Sequence, residues 1–576
     1  MQARLPLLPL LAGPWACAAT PGAPATERPS ARLVIAGDAA SGDTAFSDTA
    51  SGDTVFTETA PGETASDDTA TSAFPPPNIL LIIADDLGVD KVEAYVRDQP
   101  AYLAVARQLP ATPTMDGLGA AGLRFTTAWS SPLCSPTRAA LQTGRHSFRT
   151  GVGQPFPGGP GLALDEVTLA QQLQAGNGTT SWSTGYFGKW HLGLTGVGGE
   201  SDWDLDESAG TERTVKDLPN PVVFGWSTFD GALLGVLHSY TDWTRVVNDA
   251  AGTTRITEET TYATAATVQS ATAWITAQTG PWFATVAFNA PHAASGNSGH
   301  YADVDADPAC APVPAYAAGE DQAAFYRALV ECMDDRMAGL LRAIPPEQMA
   351  NTLIVFMGDN GTPGAVMEGL YADRGGRSSN GKATVYETGV HVPLTVTDGA
   401  NWLEWQACPD LRRRNGTCTF TSNRVTSPGR VVEAPVQLVD VYATVAELTG
   451  VDASTAIDST SFAECLRVDD PGCSGDSREH PRRLYTEGFA CDDITVACTP
   501  DHLTSARAAF RRGPYKLVAT FNPADHCLAE ELYAVRRDPF EHNDLAATEP
   551  EIAERLHAEM LGLGAPWMAG LARCAG

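Results

Sequence analysis

The sequence lacks three features that would assign it to common classes of protein. It has no two cysteines separated by two residues, so a zinc site built on such a pair is not expected. Beyond its first 17 residues, no apolar run is long enough to cross a membrane. Basic residues are scarce, with 38 Lys and Arg against 69 Asp and Glu. The net charge of −31 argues against a nucleic-acid partner, because phosphate binding needs surplus positive charge.

The N-terminal residues predict export. Arg4 precedes the apolar run Leu5–Trp15, and small residues follow, so residues 1–17 resemble a signal peptide. Cys17 lies where a lipoprotein signal is acylated, and both lipid anchoring and simple cleavage stay open. We expect a secreted, periplasmic or envelope-anchored protein that contacts a membrane only through such an anchor. Residues 18–75 repeat with a period of ten, are acidic and rich in Thr and Ser, and predict a disordered linker.

The chain has 12 cysteines, which suits an exported protein stabilised by disulfides. Setting aside Cys17 and Cys134 leaves ten, enough for five disulfides. Sequence alone does not fix their connectivity, and the first candidates are pairs close in the chain: Cys408/Cys418, Cys465/Cys473 and Cys491/Cys498.

Continuous apolar runs predict buried strands of a parallel sheet. Three of them, at Asn78–Ala84, Trp282–Phe288 and Thr352–Met357, alternate with helical patterns, the last of which predicts a helix over Val436–Leu448. This alternation predicts an α/β domain over residues 76–480, with a central, mostly parallel sheet flanked by helices. Residues 481–576 differ, and predict a small antiparallel sheet with one helix, Pro550–Leu561.

Polar residues follow each of these three runs. In open α/β sheets, ligands bind beyond the carboxyl ends of the strands, so distant residues can meet at one edge. We expect this of five residues: Asp85, Asp86, His292, Asp359 and Asn360. A pair of aspartates at a strand end, taken alone, is as well explained by a turn or a helix cap.

The segment Cys134-Ser-Pro-Thr-Arg138 combines a cysteine with a predicted helix start. Pro136 suits the first turn of a helix, so Cys134 should lie just before the helix N-terminus, where an anion is favoured. These residues alone leave open a reactive thiol, an anion site or a cysteine in a disulfide.

The same segment, continuing to Gly144-Arg145, resembles the signature of formylglycine-dependent sulfatases, arylsulfatase-like members of the alkaline phosphatase superfamily. In that family a separate enzyme oxidises the cysteine to formylglycine before the chain folds. Five further segments resemble family motifs in the same order: ILLIIADDLG, FGKWHLG, GDNGTP, GKATVYETGVHVPL and the segment from Glu531 to Ala546.

The resemblance implies a role for each matching residue. One calcium ion would be bound by Asp85, Asp86, Asp359 and Asn360, together with residue 134. Arg138 would hold the modified residue. Lys189 and His191 would contact sulfate and transfer protons, and His292 and Lys382 would flank the sulfate and the leaving oxygen. His238 loosely resembles a substrate-side histidine and could equally be a surface residue.

The implied activity is hydrolysis of a sulfate ester by a sulfuric ester hydrolase. The partners would be a sulfated small molecule or carbohydrate, and the formylglycine-generating enzyme. Two alternatives stay open: a phosphonate monoester hydrolase or phosphodiesterase of the same superfamily, and an inactive, surface-tethered binding protein. The sequence does not distinguish aryl, monosaccharide and glycosaminoglycan sulfates.

Overall fold

The structure is a computed structural model. It describes residues 75–105, 109–155, 159–193, 221–249, 251, 253–294, 310, 322–367, 381–408, 419–467, 473, 482–493 and 498–574. The predicted signal peptide, Cys17 and nearly all of the predicted linker lie outside these residues. The described residues from Pro76 onward belong to one compact unit. Among the described residues, no helix is both long and apolar enough to cross a membrane.

The larger sheet of the described chain has ten strands. They are β1 (Asn78–Ala84), β2 (Leu123–Phe125), β4 (Ser183–Gly188), β5 (Thr228–Gly231), β6 (Trp243–Asn248), β7 (Thr254–Glu259), β8 (Trp282–Ala287), β9 (Thr352–Gly358), β10 (Leu394–Asp398) and β11 (Arg430–Val432). Their order in the sheet is β11-β2-β10-β9-β1-β8-β4-β5-β6-β7. The five central strands, from β9 to β5, are parallel, whereas β10 and β6 run antiparallel to their neighbours. A separate two-stranded pair joins β3 (Ala128–Trp129) to β12 (Val436–Gln437).

Strand β1 shows why the sheet needs helices on both faces. Its seven residues are all buried, and its side chains alternate between two hydrophobic cores. One core contains Leu80 and Ile82 and the other Ile79 and Leu81. The α-helices of the described residues are α1 (Glu93–Asp98), α2 (Pro100–Val105), α3 (Pro113–Ala121), α4 (Cys134–Thr143), α5 (Ser147–Thr150), α6 (Leu169–Ala175), α7 (Ala263–Thr276), α8 (Gln322–Ala343), α9 (Pro346–Met349), α10 (Glu387–Val390), α11 (Gly399–Ala407), α12 (Asp440–Thr449) and α13 (Pro550–Leu561).

The smaller sheet has five strands and packs against α13. Its strands are β13 (Arg483–Cys491), β14 (Leu503–Arg512), β15 (Tyr515–Asn522), β16 (Cys527–Ala534) and β17 (Ala572–Arg573). All neighbours are antiparallel except β16 and β17. The predicted α/β class, with a second, mainly antiparallel sheet and its helix, is therefore confirmed.

The sequence placed one helix start too early. A helix was predicted from Val436, but Val436–Gln437 form strand β12 and the helix begins at Asp440. The backbone N–H of Gln437 donates to the Asp440 carboxylate at 3.0 Å, which fixes the turn before α12. Pairing of β12 with β3 overrides the helical pattern of these two residues.

Four disulfides lie between described residues. Two of them, Cys465–Cys473 and Cys491–Cys498, are pairs predicted from their proximity in the chain. The others, Cys310–Cys332 and Cys527–Cys574, join residues further apart. Cys408 is also disulfide-bonded, whereas Cys418 lies outside the described residues. Cys134 is a free, buried cysteine.

Candidate active site

Polar residues follow the carboxyl ends of four neighbouring parallel strands. Asp85 and Asp86 follow β1, and Asp359 and Asn360 follow β9. Lys189 and His191 come directly after β4, and His292 comes shortly after β8. Because these strands are parallel and in register, the residues meet at one edge of the sheet.

Three buried carboxylates, those of Asp85, Asp86 and Asp359, form the acidic centre of the site, with the Asn360 amide beside them. The Asp86 N–H donates to Oδ1 of Asp359 at 3.1 Å, and Nδ2 of Asn360 donates to Oδ1 of Asp86 at 2.8 Å. Asp86 has a positive φ of 68°, a strained conformation that places its carboxylate beside Asn360. Burial and the nearby Asp359 carboxylate raise the pKa of Asp85, and the Lys189 ammonium group opposes them, so this centre needs positive charge to keep its carboxylates ionised.

Each carboxylate of the centre is paired with one cationic side chain. The ammonium group of Lys189 contacts Asp85, and that of Lys382 contacts Oδ1 of Asp86 at 2.5 Å. The guanidinium of Arg138 contacts Asp359 at 2.8 Å. Burial opposes ionisation of Asp86, but Lys382 and His292 hold its pKa well below the usual range. The site is therefore a compact network of alternating charges.

Cys134 lies beside this network at the start of α4. It is the first residue of the helix, so the prediction that it precedes the helix is wrong by one position. Proline is compatible with several first-turn positions, because their N–H groups have no partner within the helix, so Pro136 did not fix the start. Burial raises the pKa of the Cys134 thiol to about 12, and the unmodified thiol is therefore protonated at neutral pH.

Arg138 joins three parts of the site. Its Nε and Nη2 both donate to Oδ2 of Asp359, at 3.0 and 2.8 Å. Its Nη1 donates to the carbonyl oxygen of Lys189 at 2.5 Å, where the hydroxyl of Tyr186 also donates at 2.7 Å. The resemblance implied that Arg138 holds residue 134, whereas these hydrogen bonds hold Asp359 and the backbone of Lys189.

His191 is held from two directions. Its backbone has a positive φ of 56°, and its carbonyl oxygen accepts a hydrogen bond from Oγ of Ser135 at 2.7 Å. Its N–H donates to the carbonyl oxygen of Leu233 at 3.1 Å. Ser135 follows Cys134 directly, so the backbone of His191 is fixed to the start of α4.

His292 faces the acidic centre with one ring nitrogen. Nδ1 lies 2.7 Å from the carbonyl oxygen of Ala293, which can only accept, so Nδ1 carries the proton. Nε2 lies 3.8 Å from Oδ2 of Asp86. The hydroxyl of Tyr240 lies 2.9 Å from the carbonyl oxygen of Asn289 and 2.8 Å from that of His292, and its single hydrogen is available to these two acceptors. By contrast, His238 is exposed.

Further hydrogen bonds connect the loops that follow β1 and β9, which carry the aspartates. The hydroxyl of Thr362 donates to Oδ1 of Asp90 at 2.6 Å and accepts the N–H of Gly88 at 3.2 Å. The hydroxyl of Tyr326, on α8, donates to the carbonyl oxygen of Asp86 at 2.7 Å. These contacts fix the loops that carry Asp86 and Asp359.

The acidic centre fits a divalent cation. Within the described chain, Oδ1 of Asp85 and Oδ1 of Asn360 are buried and have no hydrogen-bond partner. Ligand atoms of Asp85, Asp86 and His292 lie within 4.8 Å of one another. Buried oxygens without donors are costly unless a cation takes the donor's place. The oxygens come mainly from carboxylate and amide groups, which suit a hard ion such as Ca²⁺.

Four residues of the site carried no signal that the sequence analysis recognised. Tyr240 and Tyr326 act through single hydroxyl groups on backbone carbonyls distant in the chain, and Tyr186 acts in the same way on the carbonyl of Lys189, three residues further along. The fourth, Gly235, leaves room for the ring of His191, since a β-carbon at position 235 would overlap the imidazole. Such contacts depend on the folded geometry, and no local motif records them.

Comparison with known proteins agrees with the motifs. The family model described as Sulfatase matches residues 77–451, more than half of the chain. Arylsulfatase A of Bos taurus is 45% identical over 128 residues, which are 21% of this chain and 22% of that protein. Steryl-sulfatase of Homo sapiens is 35% identical over 128 residues, 21% of this chain and 20% of that protein. The chain thus aligns with only about a fifth of the length of these relatives.

The fold is also similar to solved structures. One is described as BT4656 in complex with its substrate D-glucosamine-2-N,6-O-disulfate. It has a TM-score of 0.56 and 16% identity, and covers 86% of this chain and 99% of that one. The match at this identity concerns the fold alone. Because the family model spans most of the chain from the first strand to α12, the protein belongs to the sulfatase family.

Proposed function

We propose that this protein hydrolyses sulfate esters to an alcohol and inorganic sulfate, with a nucleophile derived from Cys134. The observation that carries the proposal is the charge network beside Cys134, in which three cations stand among three carboxylates. A sulfate ester is an anion, and cations fixed before it binds stabilise charge on the transferring group. Arylsulfatase and steryl-sulfatase relatives support the same substrate class.

Calcium is the proposed resident metal ion. Asp85, Asp86, Asp359 and Asn360 would hold it, with residue 134 as a further ligand. Two of these residues contribute the buried oxygens that have no partner in the described chain. When bound, the ion would supply positive charge that polarises the sulfate oxygens. Lys189 and Lys382, which contact Asp85 and Asp86, would then be released to bind sulfate.

Formylglycine is the proposed form of residue 134 in the active enzyme. Its hydrated aldehyde supplies one hydroxyl for attack on sulfur and a second whose deprotonation lets sulfate leave. A cysteine or serine has no second hydroxyl. The buried, protonated thiol of Cys134 is also a poor nucleophile as it stands.

The remaining side chains would bind the substrate and move protons. Lys189 and Lys382 would hold the sulfate oxygens. Lys382, or His292 when protonated at Nε2, would donate the proton with which the alcohol departs. His191 would accept a proton in the later step that releases sulfate. Arg138 would hold Asp359 and the backbone of Lys189 in place through three hydrogen bonds.

Assays with a sulfate ester and a phosphonate or phosphate ester of one phenol test the activity. We expect the chain, produced together with a formylglycine-generating enzyme, to release the phenol much faster from the sulfate. Cys134→Ala should abolish this release. Mass spectrometry of the peptide containing residue 134 should detect the aldehyde in the active protein only.

Three results would contradict the proposal. Faster release from the phosphonate would favour the phosphonate hydrolase. Turnover that survives in Cys134→Ala would remove the cysteine from the mechanism. No turnover of any sulfate ester by protein that carries the aldehyde would favour a binding protein.

The metal assignment has its own test in thermal unfolding. Calcium that binds only the folded chain should stabilise it by about 2.7 kcal/mol at 100 times its Kd. We expect a rise in Tm for the wild type and none for Asp359→Asn, which loses a ligand charge. Asp335→Asn, at an exposed position of α8, should respond as the wild type does. An unchanged response of Asp359→Asn would refute the site.

Export is the proposed location. The described disulfides favour an oxidising compartment, and the predicted signal peptide agrees with them. Fractionation of the producing cells, with and without residues 1–17, tests this. Retention of the full-length chain in the cytoplasm would contradict it.

A further inference from the structure

The segment 232–240, here called the bridging segment, connects the two histidines of the site. It begins directly after β5 and ends at Tyr240, shortly before β6. The backbone N–H groups of Trp190 and His191 donate to the carbonyl oxygens of Ala232 and Leu233, at 2.9 and 3.1 Å. Its first residues therefore extend alongside the backbone that carries His191.

The same end of the segment also limits the ring of His191. A β-carbon at position 235 would overlap three atoms of the imidazole, Cε1, Nε2 and Nδ1. His191 is 1% exposed, so its ring has little space to move away. Only glycine at position 235 therefore permits the observed ring position.

The other end of the segment holds His292. The Tyr240 hydroxyl lies within hydrogen-bonding distance of the carbonyl oxygens of Asn289 and His292. Tyr240 is itself fixed, because its ring stacks on Tyr262 with centroids 5.3 Å apart and its carbonyl accepts the N–H of Ala263 at 2.8 Å. The turn that carries His292 is thus tied to the start of α7.

We infer that the bridging segment is a positioning element for both histidines, with Gly235 setting the place of His191 and Tyr240 that of His292. This inference rests on the proposed function, in which the two histidines act at different stages. His292 acts as the alcohol leaves, and His191 acts as sulfate leaves. Disturbing the two ends of the segment should therefore slow different steps.

The first experiment compares Gly235→Ala and Tyr240→Phe in rapid-mixing assays that follow release of the phenol. Gly235→Ala should give a burst of phenol, followed by a steady rate reduced by about 100-fold, because a misplaced His191 delays sulfate release. Tyr240→Phe loses one hydrogen bond and should lower kcat by about tenfold, without a burst. Gly280→Ala is the matched control, since a β-carbon there meets nothing within 4 Å.

A double-mutant cycle separates positioning from general damage to the fold. If Gly235 acts through His191, then Gly235→Ala should cause no further loss of rate in a His191→Ala background. Removal of the ring also removes the overlap, so the double variant should recover the Tm of His191→Ala. An additive loss would overturn the inference.

Crystal structures of Gly235→Ala and the wild type provide a readout independent of turnover. We expect the imidazole of His191 to be displaced while residues 186–190 keep their positions. An undisplaced ring, or kinetics that match Gly280→Ala, would overturn the inference. If the wild type itself turned over no sulfate ester, the proposed function would fail, whereas the ring position would still test the role of Gly235.

Discussion

At the scale of single residues, Arg138 is the side chain that joins α4 to two strand ends of the site. Its guanidinium is 1% exposed and connects α4 to the residues that follow β4 and β9. Burial alone would lower its pKa, but the Asp359 carboxylate raises it above the usual range. The fork of donors on a guanidinium matches one carboxylate and one carbonyl at once, which a single ammonium group cannot do.

Replacement of this guanidinium should therefore be costly even when the charge is kept. We expect Arg138→Lys to lower the free energy of unfolding by roughly 3 kcal/mol, because Asp359 stays buried with fewer donors. Urea unfolding measures this loss, and calcium titration should detect weaker binding.

Arg149→Lys is the matched control for this prediction. Arg149 pairs with Asp458 at 2.8 Å, but 31% of its side chain is exposed. A change of less than about 1 kcal/mol is expected there, because solvent weakens exposed pairs. Equal effects of the two substitutions would contradict a special role for Arg138.

The residues of the site were predictable to the extent that they lie in short motifs. Asp85, Asp359 and Lys189 directly follow strands, and their neighbours in the chain identify them. Gly235 and Tyr240 were not predictable, because each acts on a partner about 44 to 52 positions away in the chain. Their role exists only once β4, β5 and β8 are side by side.

At the scale of elements, the strands buried on both faces were the most predictable. The sequence identified β1, β8 and β9 from uninterrupted apolar runs, with bounds within one residue. The outer strand β7 has mostly partly exposed or exposed residues and carries no such run. Short strands such as β11 and β12 depend on pairing with neighbours, which local composition does not encode.

Helix α8 supplies a side chain that caps the N-terminus of helix α3. Asp334, within α8, accepts the backbone N–H groups of Thr114 and Met115, both at 2.9 Å. These N–H groups lie in the first turn of α3, where no helical carbonyl can accept them. The α3 N-terminus is therefore capped by a side chain from another helix.

Loss of this cap should destabilise the protein measurably. We expect Asp334→Ala to lower the free energy of unfolding by about 2 kcal/mol, because two buried donors lose their acceptor. Asp335→Ala, at the neighbouring exposed position, should change it by less than about 0.5 kcal/mol. Denaturant unfolding of both variants measures the difference, and similar values would argue against the cap.

At the scale of the whole molecule, the lysine side chains that the structure describes are all largely buried. The chain has only five lysines, and four of them lie in the described residues. Each of the four lies within 4 Å of a carboxylate, with at most 14% of its side chain exposed: Lys91, Lys189, Lys382 and Lys516. These four lysines therefore neutralise buried carboxylates and contribute little exposed positive charge.

Glu487, in β13, joins the smaller sheet to α5 through a buried carboxyl group. It accepts the N–H of Phe148 at 2.6 Å and also hydrogen bonds from Tyr485 and Trp567, at 2.8 and 2.6 Å. Burial outweighs these bonds and raises its pKa to about 7. The folded protein therefore binds this proton more tightly than the unfolded chain, whose glutamate titrates near 4.5.

The sign of the resulting pH dependence follows from linkage. The contribution of Glu487 is complete below about pH 4.5 and is lost as the pH rises through about 7, a change of roughly 3 kcal/mol. Glu487→Gln should make the free energy of unfolding less dependent on pH in this range. At pH 5 the substitution should also lower that free energy by about 1 kcal/mol, because one hydrogen-bond donor loses its acceptor. Unfolding between pH 5 and 8 measures the slope, and exposed Glu447→Gln should keep the wild-type slope. An unchanged slope in Glu487→Gln would contradict the assignment.

The burial of Cys134 determines when during synthesis its side chain can be modified. Every residue of α4 is buried, so a modifying enzyme cannot reach the sulfur once the chain has folded. If residue 134 acts as formylglycine, as we propose, its conversion competes with folding, and any molecule that folds first lacks the nucleophile. The active fraction of a preparation would then be set by the ratio of these two rates, and slower folding during synthesis should raise it.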